Sequence, residues 1–371
     1  MRGRALLLLA LTAACSDSSA PSMPAPTHIV VVGRLERSAT VTDTVYHLGA
    51  VVLDSAVTWT VAPGGAVTFP GPRQLHFVQS GVVTLIAHFS GDSLVIPLSV
   101  ATPPLVYFDL QLATHHSIYR IALDGLDTVR ITLDSADNTE PTLSAAGAMV
   151  FVSRRNGNGE LYAGTTTPGA GVTRLTTTAG DEAAPRLSKD GSSVAYTIPI
   201  GGIPKLYRAA ANLSDTAQFT ASFESSGGVD ASPTWSPDGS MLAFVSTVSG
   251  PARLYRYHLG GAFDTLPGAA LTGADVEPAW SPDGKYIAFA SSRTGPTELY
   301  LLTLSNGTII PLTNDGGPNG EPTWTADGRV VYTTFATGHP RLRWLDPALP
   351  DSTHAIATAA DAAHPSSSPA P

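Results

Sequence analysis

Two stretches of the chain nearly repeat each other: SPTWSPDGSMLAFVSTVSGPARLY, beginning at Ser232, and EPAWSPDGKYIAFASSRTGPTELY, beginning at Glu277. Looser copies are EPTLSAAGAMVFVSRRNGNGELY from Glu140, APRLSKDGSSVAYTIPIGGIPKLY from Ala184 and EPTWTADGRVVYTTFATGHPRLRW from Glu321. Their opening prolines, Pro141, Pro185, Pro233, Pro278 and Pro322, are spaced by 44, 48, 45 and 44 residues. A period in this range fits one four-stranded β-sheet per copy.

Each copy reads as a complete sheet. The Pro-x-Trp stretch is predicted to form the innermost strand. The Asp-Gly pairs (Asp190-Gly191, Asp238-Gly239, Asp283-Gly284, Asp327-Gly328) are predicted to form tight hairpin turns, because Gly accepts positive φ and Asp tolerates it. An apolar strand such as Ile287-Ala288-Phe289-Ala290 follows, then a third opening at Glu298-Leu299-Tyr300 and a fourth ending near Pro311-Leu312-Thr313. One such sheet cannot bury both faces, so its neighbours must supply the core. Trp235, Trp280 and Trp324, with Tyr119, Tyr162, Tyr207, Tyr255 and Tyr300, recur once per copy, as packing between sheets demands; Arg343 stands where other copies place Tyr.

The two ends of the array set its size. Residues 105–133 match strands two, three and four of the copy and lack its first, while Pro365, Ser368 and Pro369 sit where Pro278, Ser281 and Pro282 sit in the best copy. Joining residues 362–371 to the strand that starts at Leu105 closes a ring of six blades, a β-propeller, and removes the open sheet edge that invites aggregation.

Composition agrees with an all-β chain. The sequence has 371 residues, 35 Gly, 30 Pro and only 14% charged residues, so turns are frequent and long solvated helices are disfavoured. A formal charge of −9 provides no footprint for nucleic acid, whose phosphates are neutralised by clustered Lys and Arg. The single cysteine, Cys15, excludes an intramolecular disulfide framework.

Upstream of the array lie an address, a tether and a second domain. Arg2 and Arg4, the apolar run from Ala5 to Leu11 and the small Ala13-Ala14 step make residues 1–14 a secretory signal, too short to span a bilayer. Residues 15–27 form a Ser/Pro-rich tether that cannot bury enough apolar surface to fold. Residues 28–102 carry seven short β-branched runs, fitting a small sandwich with Trp59 in its core, and Thr102-Pro103-Pro104 is the natural boundary.

Three resemblances follow from these residues. The amino-terminal segment resembles a bacterial lipoprotein signal, which implies lipidation of Cys15; Ser16 after it resembles lipoproteins released to the outer membrane. An ordinary signal leaving Cys15 as a free thiol is the other reading. The order VLD, VTWTV, GVVTLIAHFSGDSLVIPLSV resembles a bacterial immunoglobulin-like domain. The array resembles the TolB-type (WD40-like) propeller repeat, with SPDG complete at Ser236 to Gly239 and Ser281 to Gly284, over residues 105–371. TolB's own amino-terminal α/β domain is replaced here by the immunoglobulin-like module.

No chemistry-bearing motif stands out. The sequence has no G-x-S-x-G elbow, no H-E-x-x-H and no phosphate-binding Gly loop, so no cofactor or metal is expected. His115-His116 falls between two strands, where adjacent side chains point apart. The loops leading into the innermost strands carry Asp137, Glu140, Asp181, Glu182, Asp230, Asp275, Glu277, Asp315, Glu321 and Asp361. Converging on one rim, such carboxylates make a negative field that favours a basic ligand or protein segment; solvated members of the repeat consensus are the plainer reading. The expected function is a non-catalytic envelope lipoprotein, held to the membrane through its lipid alone, that binds a protein or ligand through the propeller. The competing class is a carbohydrate-active, hydrolytic or lyase propeller enzyme.

Overall fold

The computed structural model describes residues 6–10, 30–32, 40–47, 50–51, 58–71, 74–78, 80–89, 92–221, 227–266, 273–358 and 360–367. The chain divides into two compact units, residues 1–103 and 104–371.

In the first unit, Thr58–Ala62, Gly81–Phe89 and Asp92–Val100 form a three-stranded antiparallel sheet. Its residues alternate as a half-buried sheet requires: Val83, Leu85, Leu98 and Val100 are buried, while Val82 and Val95 face solvent. A second sheet contains Val30–Val32, Thr40–His47, Ala50–Val51, Val67–Gly71 and Gln74–Phe77. Leu6–Ala10, inside the expected export address, also pairs in this sheet, parallel to Thr40–His47. Cys15 and residues 11–29 lie outside the described residues, as does the side chain of Trp59.

The second unit consists of six four-stranded antiparallel sheets. Five are built from consecutive strands. The sixth pairs Leu105–Gln111, His116–Ala122 and Val129–Arg130 with Ala362–Ser367, in the order Val129–Arg130, His116–Ala122, Leu105–Gln111, Ala362–Ser367. The two ends of the repeat array therefore share one sheet, with Val106 opposite Ser367 and Asp109 opposite Ala363. The innermost strands are Asn138–Leu143, Ala183–Leu187, Asp230–Trp235, Asp275–Trp280, Asn319–Trp324 and Ala362–Ser367. Each lies against the next, and the last lies against the first.

The cores lie between sheets. Phe289 and Tyr300 face each other within one sheet at 5.9 Å. The same Phe–Tyr pairing returns as Phe108–Tyr119, Phe151–Tyr162 and Phe244–Tyr255. Ala243, Val245 and Leu254 of one sheet pack on Trp280, Phe289 and Tyr300 of the next. Indole N–H groups fasten neighbours together: Trp235 Nε1 donates to the Arg186 carbonyl and Trp324 Nε1 to the Ala279 carbonyl, both at 2.9 Å.

In the Asp-Gly turns positive φ falls on Gly alone, not on Asp. In Ser281 to Gly284 the Gly284 N–H closes on the Ser281 carbonyl and only Gly284 has positive φ, at 73°. Pro282 sets the negative φ of a type I turn, which moves the left-handed residue one place on. Asp283 then accepts from the Ser281 hydroxyl and the Lys285 N–H, which accounts for Asp without a ligand.

Candidate functional site

Each innermost strand contains a bulge at the residue before its proline. That residue has positive φ in all six: Glu140 (53°), Ala184 (50°), Ser232 (51°), Glu277 (54°), Glu321 (53°) and His364 (49°). The following proline disfavours the right-handed helical region for its predecessor, and the left-handed turn re-aims that side chain. Non-Gly residues held this way in every sheet are strained positions maintained by the ring around them.

The carboxylates among them link neighbouring sheets. Glu140 Oε2 accepts the Ala184 N–H at 2.5 Å, Glu277 Oε2 accepts the Glu321 N–H at 2.6 Å and Glu321 Oε2 accepts the His364 N–H at 2.8 Å. At the shared sheet, buried Asp109 accepts the Glu140 N–H at 3.1 Å. A Cβ on Gly320 would stand 2.7 Å from Glu277 Oε2, so only Gly leaves that carboxylate its place.

His364 closes the circle electrically. Its Nδ1 lies 2.7 Å from Asp109 Oδ1 and its Nε2 lies 3.2 Å from Glu321 Oε1. Burial alone would lower its pKa, but the hydrogen bond to Asp109 and the charges of Asp109, Glu321 and Glu140 outweigh it and raise the imidazole to about 10. His364 is thus cationic at neutral pH. Burial, with Glu321 nearby, raises Glu277 above the usual carboxylate range against the opposing Glu321 N–H, His364 and Arg186.

Beneath this ring lies a cavity of about 150 Å³ lined by residues of all six innermost strands. At the position after each proline the residues are Thr142, Arg186, Thr234, Ala279, Thr323 and Ser366. Five are small and one is a cation. Burial lowers the Arg186 guanidinium from its ordinary value, opposed by the charges of Glu140, Glu321 and Glu277.

The structure separates the ten acidic residues expected on one rim into three settings. Glu140, Glu277 and Glu321, immediately before proline, belong to the ring just described. Glu182, Asp230 and Asp275 lie three places before proline and are instead buried inside their sheets, at 1%, 0% and 1% exposure. Asp275 meets Ser291 and Arg293 there, and Glu182 meets the Thr176 and Thr178 hydroxyls. Burial, opposed by those hydroxyls and helped by Glu160, pushes Glu182 up to about 7. Asp137, Asp181, Asp315 and Asp361 remain on loops with local partners: His116, Arg154, Asn319 and Arg341 respectively.

Sequence reasoning passed over Arg186, Asp109 and His364. Arg186 is the one readable beforehand, since aligning the copies on proline gives Thr, Arg, Thr, Ala, Thr. Asp109 belongs to a strand whose partner is about 250 residues away in sequence, and no repeat marks it.

No protein-family model matches the chain, and no curated protein matches it. Solved structures do. TolB from Acinetobacter baumannii is 18% identical with a TM-score of 0.62, covering 79% of this chain and 80% of that one. A protein of Agrobacterium tumefaciens described as TolB is 15% identical with a TM-score of 0.57, covering 70% and 91%. A chain of the nidogen–laminin complex is 10% identical with a TM-score of 0.57, covering 72% and 99%. The likeness establishes the fold: a β-propeller of the kind found in TolB.

Proposed function

We propose that the chain is an exported, lipid-tethered, non-catalytic binding scaffold of the cell envelope, whose propeller mouth takes a protein segment or small ligand carrying a cationic group. The observation that carries the reading is the state of the ring carboxylates. In Glu140 and Glu277 one oxygen is held by a neighbour's backbone N–H, while Oε1 has no hydrogen bond among the described residues. A carboxylate fixed by one oxygen and open at the other is pre-organised for an ammonium or guanidinium, whose charge-assisted hydrogen bonds are the strong ones. Asp109, Glu140, Glu277 and Glu321 outnumber the cations Arg186 and His364, so the mouth favours positive charge.

Cys15 as the attachment point and residues 15–27 as tether put this mouth in the envelope. The placement rests on the sequence alone. The resemblance at Ser16 favours the outer membrane in a two-membrane cell.

The double substitution Glu140→Gln with Glu277→Gln tests the reading. Glutamine keeps a carbonyl oxygen for the Ala184 and Glu321 N–H groups but removes both charges. Capture of basic partners from native envelope extract should weaken and lose its salt dependence while the melting curve holds. Equal, equally salt-sensitive capture by both proteins would refute the assignment.

A further inference from the structure

The cavity below the ring has a chemistry opposite to that of the mouth. Its lining includes Arg186, Lys189, Thr142, Thr234, Thr323 and Ser366 and contains no Asp or Glu. We infer that this cavity is a second subsite, one that receives a carboxylate on a slim stem, with Arg186 as its principal contact.

The donors and acceptors are unevenly matched. The Arg186 guanidinium makes one hydrogen bond, from Nη1 to the Pro185 carbonyl at 2.8 Å, and no carboxylate among the described residues is in ion-pair contact with it. A guanidinium carries five N–H donors, and this half-buried one keeps most of them free for a ligand that supplies a counter-charge. Thr142 Oγ1 accepts the Leu187 N–H at 3.0 Å and Thr234 Oγ1 accepts the Trp280 N–H at 3.4 Å. Each of these hydroxyls accepts one bond and still has its proton to donate. The indoles offer nothing, because Trp235, Trp280 and Trp324 donate to the Arg186, Gly284 and Ala279 carbonyls. A space lined by unspent donors fits a ligand made of acceptors.

The fold does not ask for a cation here. Five of the six equivalent positions hold Thr, Ala or Ser and support equivalent strands, so Arg186 departs from what packing requires. Its ring neighbours Glu140, Glu277 and Glu321 oppose its loss of charge from a distance. The cavity volume, about 150 Å³, is well above the roughly 10–15 Å³ of such space that a single water needs. That suits an acidic side chain, a peptide carboxyl terminus or a small dicarboxylate, which share the same recognised group.

Calorimetric titration of the full chain with glutarate, with its uncharged diamide and with a short peptide ending in Glu tests the inference. Wild type should bind one or both carboxylates and not the diamide. Arg186→Thr, which installs the residue used by other sheets, should weaken binding by about tenfold or more, and Arg186→Lys should restore part of it. Binding of the peptide alone assigns the site to a protein partner; binding of glutarate as well extends it to free acids. No carboxylate binding by a wild-type protein of normal melting temperature, or equal binding by Arg186→Thr, would overturn the subsite. Neither outcome bears on the ring of glutamates, which is tested separately by its own double substitution.

Discussion

Between the sheets the same residue type returns from copy to copy: Phe151, Phe244 and Phe289 each face a Tyr on the next strand, and Trp235, Trp280 and Trp324 close the inner seams. On the channel side of the same strands, one and three residues before the Trp position, the copies disagree. The six bulge positions hold Glu, Ala, Ser, Glu, Glu and His, and the six after proline hold Thr, Arg, Thr, Ala, Thr and Ser. Every wall meets the same geometric demand, so one solution serves all of them. Nothing in the packing of a ring requires a single Arg or a single His, and these departures are where recognition is to be sought.

The largest expected effect lies on the repeating side. Phe289 is buried at 1% exposure between two sheets, and Phe289→Ala should cost about 3–5 kcal/mol through lost burial and an unfilled cavity. Denaturant titration measures it. A cost below about 1 kcal/mol would mean that the wall is far looser than its contacts imply.

The next effect lies on the diverging side and depends on pH. His364 has its folded-state pKa raised from 6.5 to about 10. Its stabilising contribution is therefore complete below about 6.5 and is lost as pH rises toward about 10. Glu182, raised from 4.5 to about 7, acts in the same direction across its own lower window. Melting temperature should fall across both windows. His364→Gln should flatten the upper one, and Glu182→Gln the lower; a His364→Gln protein with the wild-type alkaline profile would remove His364 from the ring's electrostatics.

The smallest expected effect belongs to the turns. Asp238 accepts from the Ser236 hydroxyl and the Ser240 N–H at an exposed site, so Asp238→Ala should cost about 0.5–1.5 kcal/mol and leave ligand capture unchanged. Altered capture would move a binding role onto the repeat consensus and blur the distinction between wall and channel.

Much of the wall was legible in the sequence. The 44-residue spacing of Pro278 and Pro322, the Asp-Gly pairs and the recurring Trp and Tyr each follow from strand period and turn chemistry. The channel was legible only in part. Residues one and three places before proline look alike as acidic entries, yet the left-handed bulge turns Glu277 into the ring while Asp275 stays inside its sheet with Ser291 and Arg293. Reading that difference needs the bulge, which single-sequence alternation does not announce. The His364–Asp109 pair joins the two ends of the array, a relation set by closure and by no local pattern.

Everything assigned to the channel requires the strand Ala362–Ser367 to seal it against Leu105–Gln111. Val106 and Ser367 are direct ladder partners, and opposed residues in antiparallel strands have Cα atoms about 4.5–5.5 Å apart, within disulfide reach. Val106→Cys with Ser367→Cys, in a chain carrying Cys15→Ser, should oxidise to a single intramolecular disulfide, read as a loss of two thiols in monomeric protein. Two free thiols that persist under oxidising conditions in folded protein would contradict the closed ring, and with it the mouth and the cavity beneath.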